Sequence, residues 1–188
     1  MGEWNKSKAK GNISESIIEM LINSMPDWKC VKFGVENHIE ELRKHIRKEF
    51  SPETRKIKSM PDFIAFNKKT GKTLFIEVKY RGFIDKKTSG KSIYDFHYKR
   101  LDEDMEYWKE VKLIFVHPYP KHFFVIDLKD VEPNMCRREQ TGINEWTDYW
   151  DFASIEKGIK DLFPDLKDDV LEDAIKLIPP KIKIKSWF

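Results

Sequence analysis

The chain has 188 residues, a formal net charge of +3, and is 40% hydrophobic, 13% aromatic and 36% charged. That is enough for one globular domain with its own core, needing no disulfide or metal staple. No apolar run approaches the ~20 residues of a membrane span. The polar, lysine-rich start MGEWNKSKAKGN lacks the apolar centre of a signal peptide.

The elements follow in chain order. From Asn12, the residues Ile13, Ile17, Met20, Leu21 and Met25 recur at helical spacing, and Pro26 ends the pattern. WKCVKFGV (28–35) alternates as a strand does. HIEELRKHIRKEF (38–50) reads as a charged helix closed by Ser51-Pro52. Two strands follow at 62–66 and 73–80, joined by the turn NKKTGK, in which Asn67 and Gly71 tolerate left-handed backbone. GFIDKKTSGKS (82–92) reads as a basic loop. The stripe Phe96, Leu101, Met105, Trp108 predicts a helix over 94–109. VKLIFVHP (111–118) and HFFVIDL (122–128) are strands, the first apolar enough to be central. Residues 144–178 read as helical, and KIKIKSWF alternates as a last short strand.

This order predicts an α/β protein in one domain, 1–188, with a central mixed sheet flanked by helices. Its core spans about 11–128, with a charged insert at 37–58 and a C-terminal helical extension at 144–178. Cys30 and Cys136 show no metal-ligand spacing, so a structural zinc site is not expected and the setting is expected to be reducing and cytoplasmic. His38 and His45 lack the four-residue spacing of a two-histidine metal site. Charge divides unevenly. Residues 1–100 hold 22 Lys/Arg against 13 Asp/Glu, whereas 101–180 hold 10 against 19. A basic half suits an anionic partner such as nucleic acid; a solvated lysine surface gives the same bias.

One stretch carries chemistry. In TLFIEVKY the residues Leu74, Ile76 and Val78 take one strand face, and Phe75, Glu77 and Lys79 the other. Alternation therefore projects Glu77 and Lys79 the same way, about 7 Å apart. Asp62 opens the preceding strand, within hairpin reach. Two carboxylates and a lysine at a sheet's mouth suit a hard divalent cation and a phosphate ester. An edge strand with solvated charges would show the same alternation.

Pro61-Asp62, fourteen residues, then Glu77-Val78-Lys79 resembles the motif of the PD-(D/E)XK nuclease superfamily, which includes restriction endonucleases and archaeal Holliday-junction resolvases. The resemblance implies a restriction endonuclease-like core and hydrolysis of DNA phosphodiesters. It implies Mg²⁺, with Mn²⁺ as a substitute, on Asp62, Glu77 and the Val78 carbonyl. Lys79 would orient or activate the attacking water. Many members add an acid from the first helix, and Gly11-Asn-Ile-Ser-Glu15 fits that spacing. Glu19 is its rival, and Asn12-x-x-Glu15 is also a capping box. Lys56 and Lys58 upstream, and Arg81, Lys86, Lys87, Lys91 and Lys99 downstream, are candidate DNA contacts. The alternative is a catalytically inactive DNA-binding or assembly subunit of the same fold, and RNA remains open as substrate. No nucleotide cofactor is expected. The insert and the extension would encode target choice or a homodimer.

Overall fold

The computed structural model describes residues 3–33, 51–81, 93–96, 101, 105–118, 120–142 and 145–179. Helix α1 (Glu3–Asn23) runs into a turn at Met25-Pro26, and strand β1 (Trp28–Lys32) follows. Asn23 ties the two together, its Oδ1 accepting the Cys30 N–H at 2.9 Å. Helix α2 (Pro52–Lys58) starts where a stop was expected. Ser51 is its N-cap, accepting the Thr54 N–H, and Pro52 fills the first position, where no N–H is needed. The predicted charged helix 38–50 lies outside the described residues, as does the predicted strand over 181–188.

Strands β2 (Phe63–Asn67) and β3 (Thr73–Tyr80) form the expected hairpin. In its turn the Asn67 side chain accepts the N–H groups of Lys69 and Thr70, and Gly71 takes a left-handed φ of 73°. Strand β4 (Ile93–Phe96) corrects the start of the predicted helix 94–109, while Leu101 and residues 105–107 are helical as expected. IYDF is β-branched and aromatic, and it pairs with a strand more than fifty residues downstream, which a local helical pattern cannot reveal. Leu101, Met105 and Trp108 do pack into the core as the stripe implied.

Strands β5 (Val111–Val116) and β6 (Phe123–Asp127) complete the central set. The predicted helical stretch from 144 is in part a hairpin, β7 (Cys136–Gly142) and β8 (Glu145–Asp151). EWTDYWD is rich in strand-forming side chains, and its pairing with β7 and β4 overrides the helical reading. Strand β9 (Lys157–Gly158) and helices α3 (Ile159–Leu162) and α4 (Asp168–Lys176) follow, so the C-terminal helical extension is shorter than expected.

The large sheet has the order β1-β2-β3-β5-β6-β9, and the small one β4-β8-β7. Only β3 and β5 run parallel; the other neighbours are antiparallel, so the sheet is mixed as expected. Helices α1, α3 and α4 cover one face, with Ile18, Leu21 and Ile22 against Ile76 and Val78, and Phe163 and Ala174 beside them. The other face buries Leu113, Phe115 and Ile126 with Leu101, Trp150 and Phe152. Each such side chain contributes about 1.5–3 kcal/mol on burial. Strand β5 is buried nearly throughout, as its apolar run required.

Two outcomes follow. Gly11 lies inside α1 rather than at its start, and a Cβ there would meet nothing within 4 Å. Gly11→Ala is therefore expected to stabilise the fold by about 0.5–1 kcal/mol, read from urea unfolding. His117 is fully buried, its ring stacked on Phe124 at 4.8 Å. Burial, with the charge of His122 adding to it, holds the imidazole down from the ordinary 6.5 to about 4. The unfolded chain thus binds this proton first. The stability is complete above pH 6.5 and is lost as pH falls toward 4, by about 3 kcal/mol. In His117→Phe, unfolding measured across that window is expected to show a correspondingly flatter acid slope.

Candidate active site

The β2–β3 register places the acids. Phe63 stands opposite Ile76, so one further step brings Asp62 opposite Glu77. The ladder ends there because the chain bends at Asp62. Its Oδ2 accepts the Val78 N–H at 2.8 Å, where a ladder carbonyl would otherwise sit. The Asp62 carbonyl accepts the Phe33 N–H at 2.9 Å from just beyond β1. Asp62 is thus held from both neighbouring strands.

Glu77 is buried, and Lys79 folds back onto it in an ion pair, its side chain 13% exposed. A charged pair this desolvated is costly unless its partners are well placed. The surrounding aromatics keep the strand face rigid. Phe75 packs against Phe33 and Trp108, and the Trp108 indole N–H donates to Ser59 Oγ at 3.2 Å and to the Lys56 carbonyl at 3.4 Å. Helix α2, which leads directly into Pro61-Asp62, is thereby tied to β3.

Glu15 comes from α1. Its carboxyl is raised above the ordinary range first by burial and then by the charge of Asp62; Lys32 and Lys79 pull it down, and Glu19 pushes it up. The helix thus brings a third carboxylate within electrostatic reach of Asp62 and Lys79. Because α1 begins at Glu3, Asn12 is interior and the capping-box reading of Asn12 and Glu15 is overturned. Glu19 acts on the buried Cys30, whose thiol burial, with Glu19 adding, pushes up to about 12, leaving it unreactive.

Lys32 was not anticipated. It ends β1 opposite Phe63, next to Asp62, but only the β1–β2 pairing reveals that. Lys10 lies over the Tyr80 ring at 5.1 Å, and the Tyr80 hydroxyl donates to the Pro179 carbonyl at 3.0 Å. Among the predicted phosphate contacts, Lys56 is exposed on α2, 6.0 Å from the Trp108 ring, and Lys58 is half-buried in the same helix. Arg81 lies against the sheet, donating to the Tyr80 carbonyl at 3.0 Å and covering the Phe115 ring at 5.9 Å. Lys86, Lys87, Lys91 and Lys99 lie outside the described residues. Trp150 and Phe152 are core. Among the described residues no three His, Cys, Asp or Glu side chains stand close enough to enclose a metal ion in this arrangement, in which the Lys79 ammonium meets Glu77. No helix among them is long and apolar enough to cross a membrane.

No protein-family model matches the chain, and no curated protein matches it. Among solved structures it is similar to D212, a nuclease from a fusselovirus. The likeness has 11% sequence identity and a TM-score of 0.43, covering 92% of this chain and 96% of that one.

The Glu15 environment has a measurable sign. A carboxyl raised in the folded state contributes stability below the ordinary value of 4.5 that is lost as pH rises through the raised one. In EDTA, Glu15→Gln is expected to be more stable than wild type at pH 7 and to lose that advantage by pH 4, as urea midpoints would show.

Proposed function

We propose that the chain is a Mg²⁺-dependent endonuclease that hydrolyses DNA phosphodiester bonds at a PD-(D/E)XK-type site. The supporting observation is the Asp62–Glu77 register, with Lys79 on Glu77 and the Asp62 carboxylate on the Val78 amide. Like charges gathered at a half-dry strand end raise the energy of the protein alone, and a cation offsets that repulsion.

The residues fit such an ion chemically. Asp62, Glu77 and the Val78 carbonyl would hold it, with Glu15 as the acid from α1, and all four offer the hard oxygens that Mg²⁺ and Mn²⁺ take. Bound there, the ion would polarise the phosphoryl group and lower the pKa of a coordinated water. The remaining work belongs to the chain. Lys79, three donors on a largely desolvated ammonium, orients the attacking water and faces the charge that builds on the phosphate oxygens. Its ion pair with Glu77 sets where that ammonium stands. Glu15 responds to Asp62 and is the preferred first-helix acid over Glu19. The desolvation of the pair strengthens each of these interactions relative to water.

Lys56, Lys58, Arg81 and Lys32 would steady the phosphate backbone without reading its sequence. Lys86, Lys87, Lys91 and Lys99 complete the proposed basic track. Binding is then steeply salt-dependent.

Asp62→Ala, Glu77→Ala and Lys79→Ala are each expected to lower cleavage by about a hundredfold or more while leaving the circular dichroism spectrum and most DNA binding intact. A panel of duplex, flap, four-way junction, single-strand and matched RNA substrates, with MgCl₂ or EDTA, measures this. Wild-type turnover by Lys79→Ala would rule the mechanism out. Binding without cleavage on every substrate would leave the assembly-subunit reading in its place.

A further inference from the structure

On the sheet face that carries Glu77 and Lys79, Phe75 lies two residues before Glu77, beside Ile64 of β2 and Val111 of β5. It meets Phe33 and Trp108 in a triangle of rings. The centroids are 5.8, 6.0 and 5.7 Å apart and the planes meet at 44°, 88° and 56°, so no ring lies flat on another. In the core of the same face, Trp150 and Phe152 are buried and nearly parallel, at 19°. Phe33, Phe75 and Trp108 are instead each half-buried. Phe75 and Trp108, with Tyr107, Lys109, Glu110 and Val111, line an open hollow of about 160 Å³. Contiguous apolar surface rimmed by polar groups marks an interaction site. The rim here is mainly cationic. Lys109 lines the hollow, Lys56 stands 6.0 Å from the Trp108 ring, and α2 adds the exposed Arg55. Among the described residues lining it, Glu110 is the one acid.

We infer that this hollow seats one unpaired nucleobase, stacked on Phe75 and Trp108, so that the preferred substrate carries a single-stranded nucleotide beside the site rather than continuous duplex. The inference rests on the nucleic-acid reading of the Asp62, Glu77 and Lys79 site and narrows its substrate. Two residues of strand set Phe75 and Glu77 about 7 Å apart, the span of roughly two nucleotides at ~3.4 Å each along a stacked strand. One strand can therefore place a base in the hollow and a phosphate at Glu77. Aromatic side chains stack on any base, because every base has a π-face. An intact duplex hides those faces in its own stack, whereas an unpaired base offers them. Lys56 and Lys109 stand where the flanking phosphates run, and the Glu110 carboxylate can accept from an exocyclic amine such as N4 of cytosine. A wholly apolar ligand would gain nothing from that charged rim.

Fluorescence anisotropy in EDTA tests it, because binding is then read without metal or cleavage. Two end-labelled DNAs of equal length and charge are compared, one fully paired and one with splayed, non-complementary arms. Wild type is expected to bind the splayed DNA about fivefold or more tightly than the paired one. Abasic residues at the first two unpaired positions of both arms are expected to remove that preference. Phe75→Leu keeps an apolar side chain but no ring, and is expected to lose the preference while binding the paired duplex as wild type does. Circular dichroism checks its fold, and the abasic comparison, which needs no variant, decides the matter if it does not fold. Equal affinity for the two DNAs, abasic arms bound as tightly as intact ones, or a folded Phe75→Leu that keeps the preference would each overturn the inference. A preference that holds where no substrate is cleaved with MgCl₂ would instead remove the nuclease reading and leave the base seat standing.

Discussion

The arrangement of this molecule depends on how the β2–β3 ladder ends. At Asp62 the chain turns out of the strand, and its carboxylate accepts the Val78 N–H in place of a backbone carbonyl. That one hydrogen bond satisfies a buried amide and pins an acid to the strand that carries Glu77 and Lys79. Orphaned buried N–H groups are rare because each costs a desolvation penalty of about 1–3 kcal/mol. The strand end therefore needs an acceptor at this place. Aspartate is short enough to remain beside the backbone while leaving its second oxygen for other work.

The rest of the fold supports that junction from several directions. Strand β1 reaches the Asp62 carbonyl through the Phe33 amide. Helix α2 enters from upstream and is held by the Trp108 indole, itself packed on Phe33 and Phe75. Strand β3 lies between β2 and β5, so its backbone is paired on both sides and cannot shift without disturbing the sheet. A rigid backbone lets two acids and a lysine remain close despite their mutual cost. The functional reading rests on that tolerance of strain in charge rather than in geometry.

Helix α1 ties the site to the core. Its apolar side anchors it to the sheet, and its Glu15 edge answers to Asp62.

Much of this was legible in the residues themselves. Alternation at Leu74, Ile76 and Val78 set that these three share one face of β3 and, by exclusion, that Glu77 and Lys79 project together from the other, since strand geometry is local. The turn chemistry of Asn67 and Gly71 and the central position of β5 were likewise local. Tertiary structure alone decided the rest. Ile93–Phe96 and Glu145–Asp151 became partners in a second sheet because strand pairing joins residues far apart in sequence, which no short-range period records. For the same reason Lys32 came to lie beside Asp62, and Glu15, about three turns inside a helix that starts at Glu3, came within reach of it. Side-chain identity and period determine what each element can present. Long-range pairing determines what it presents it to.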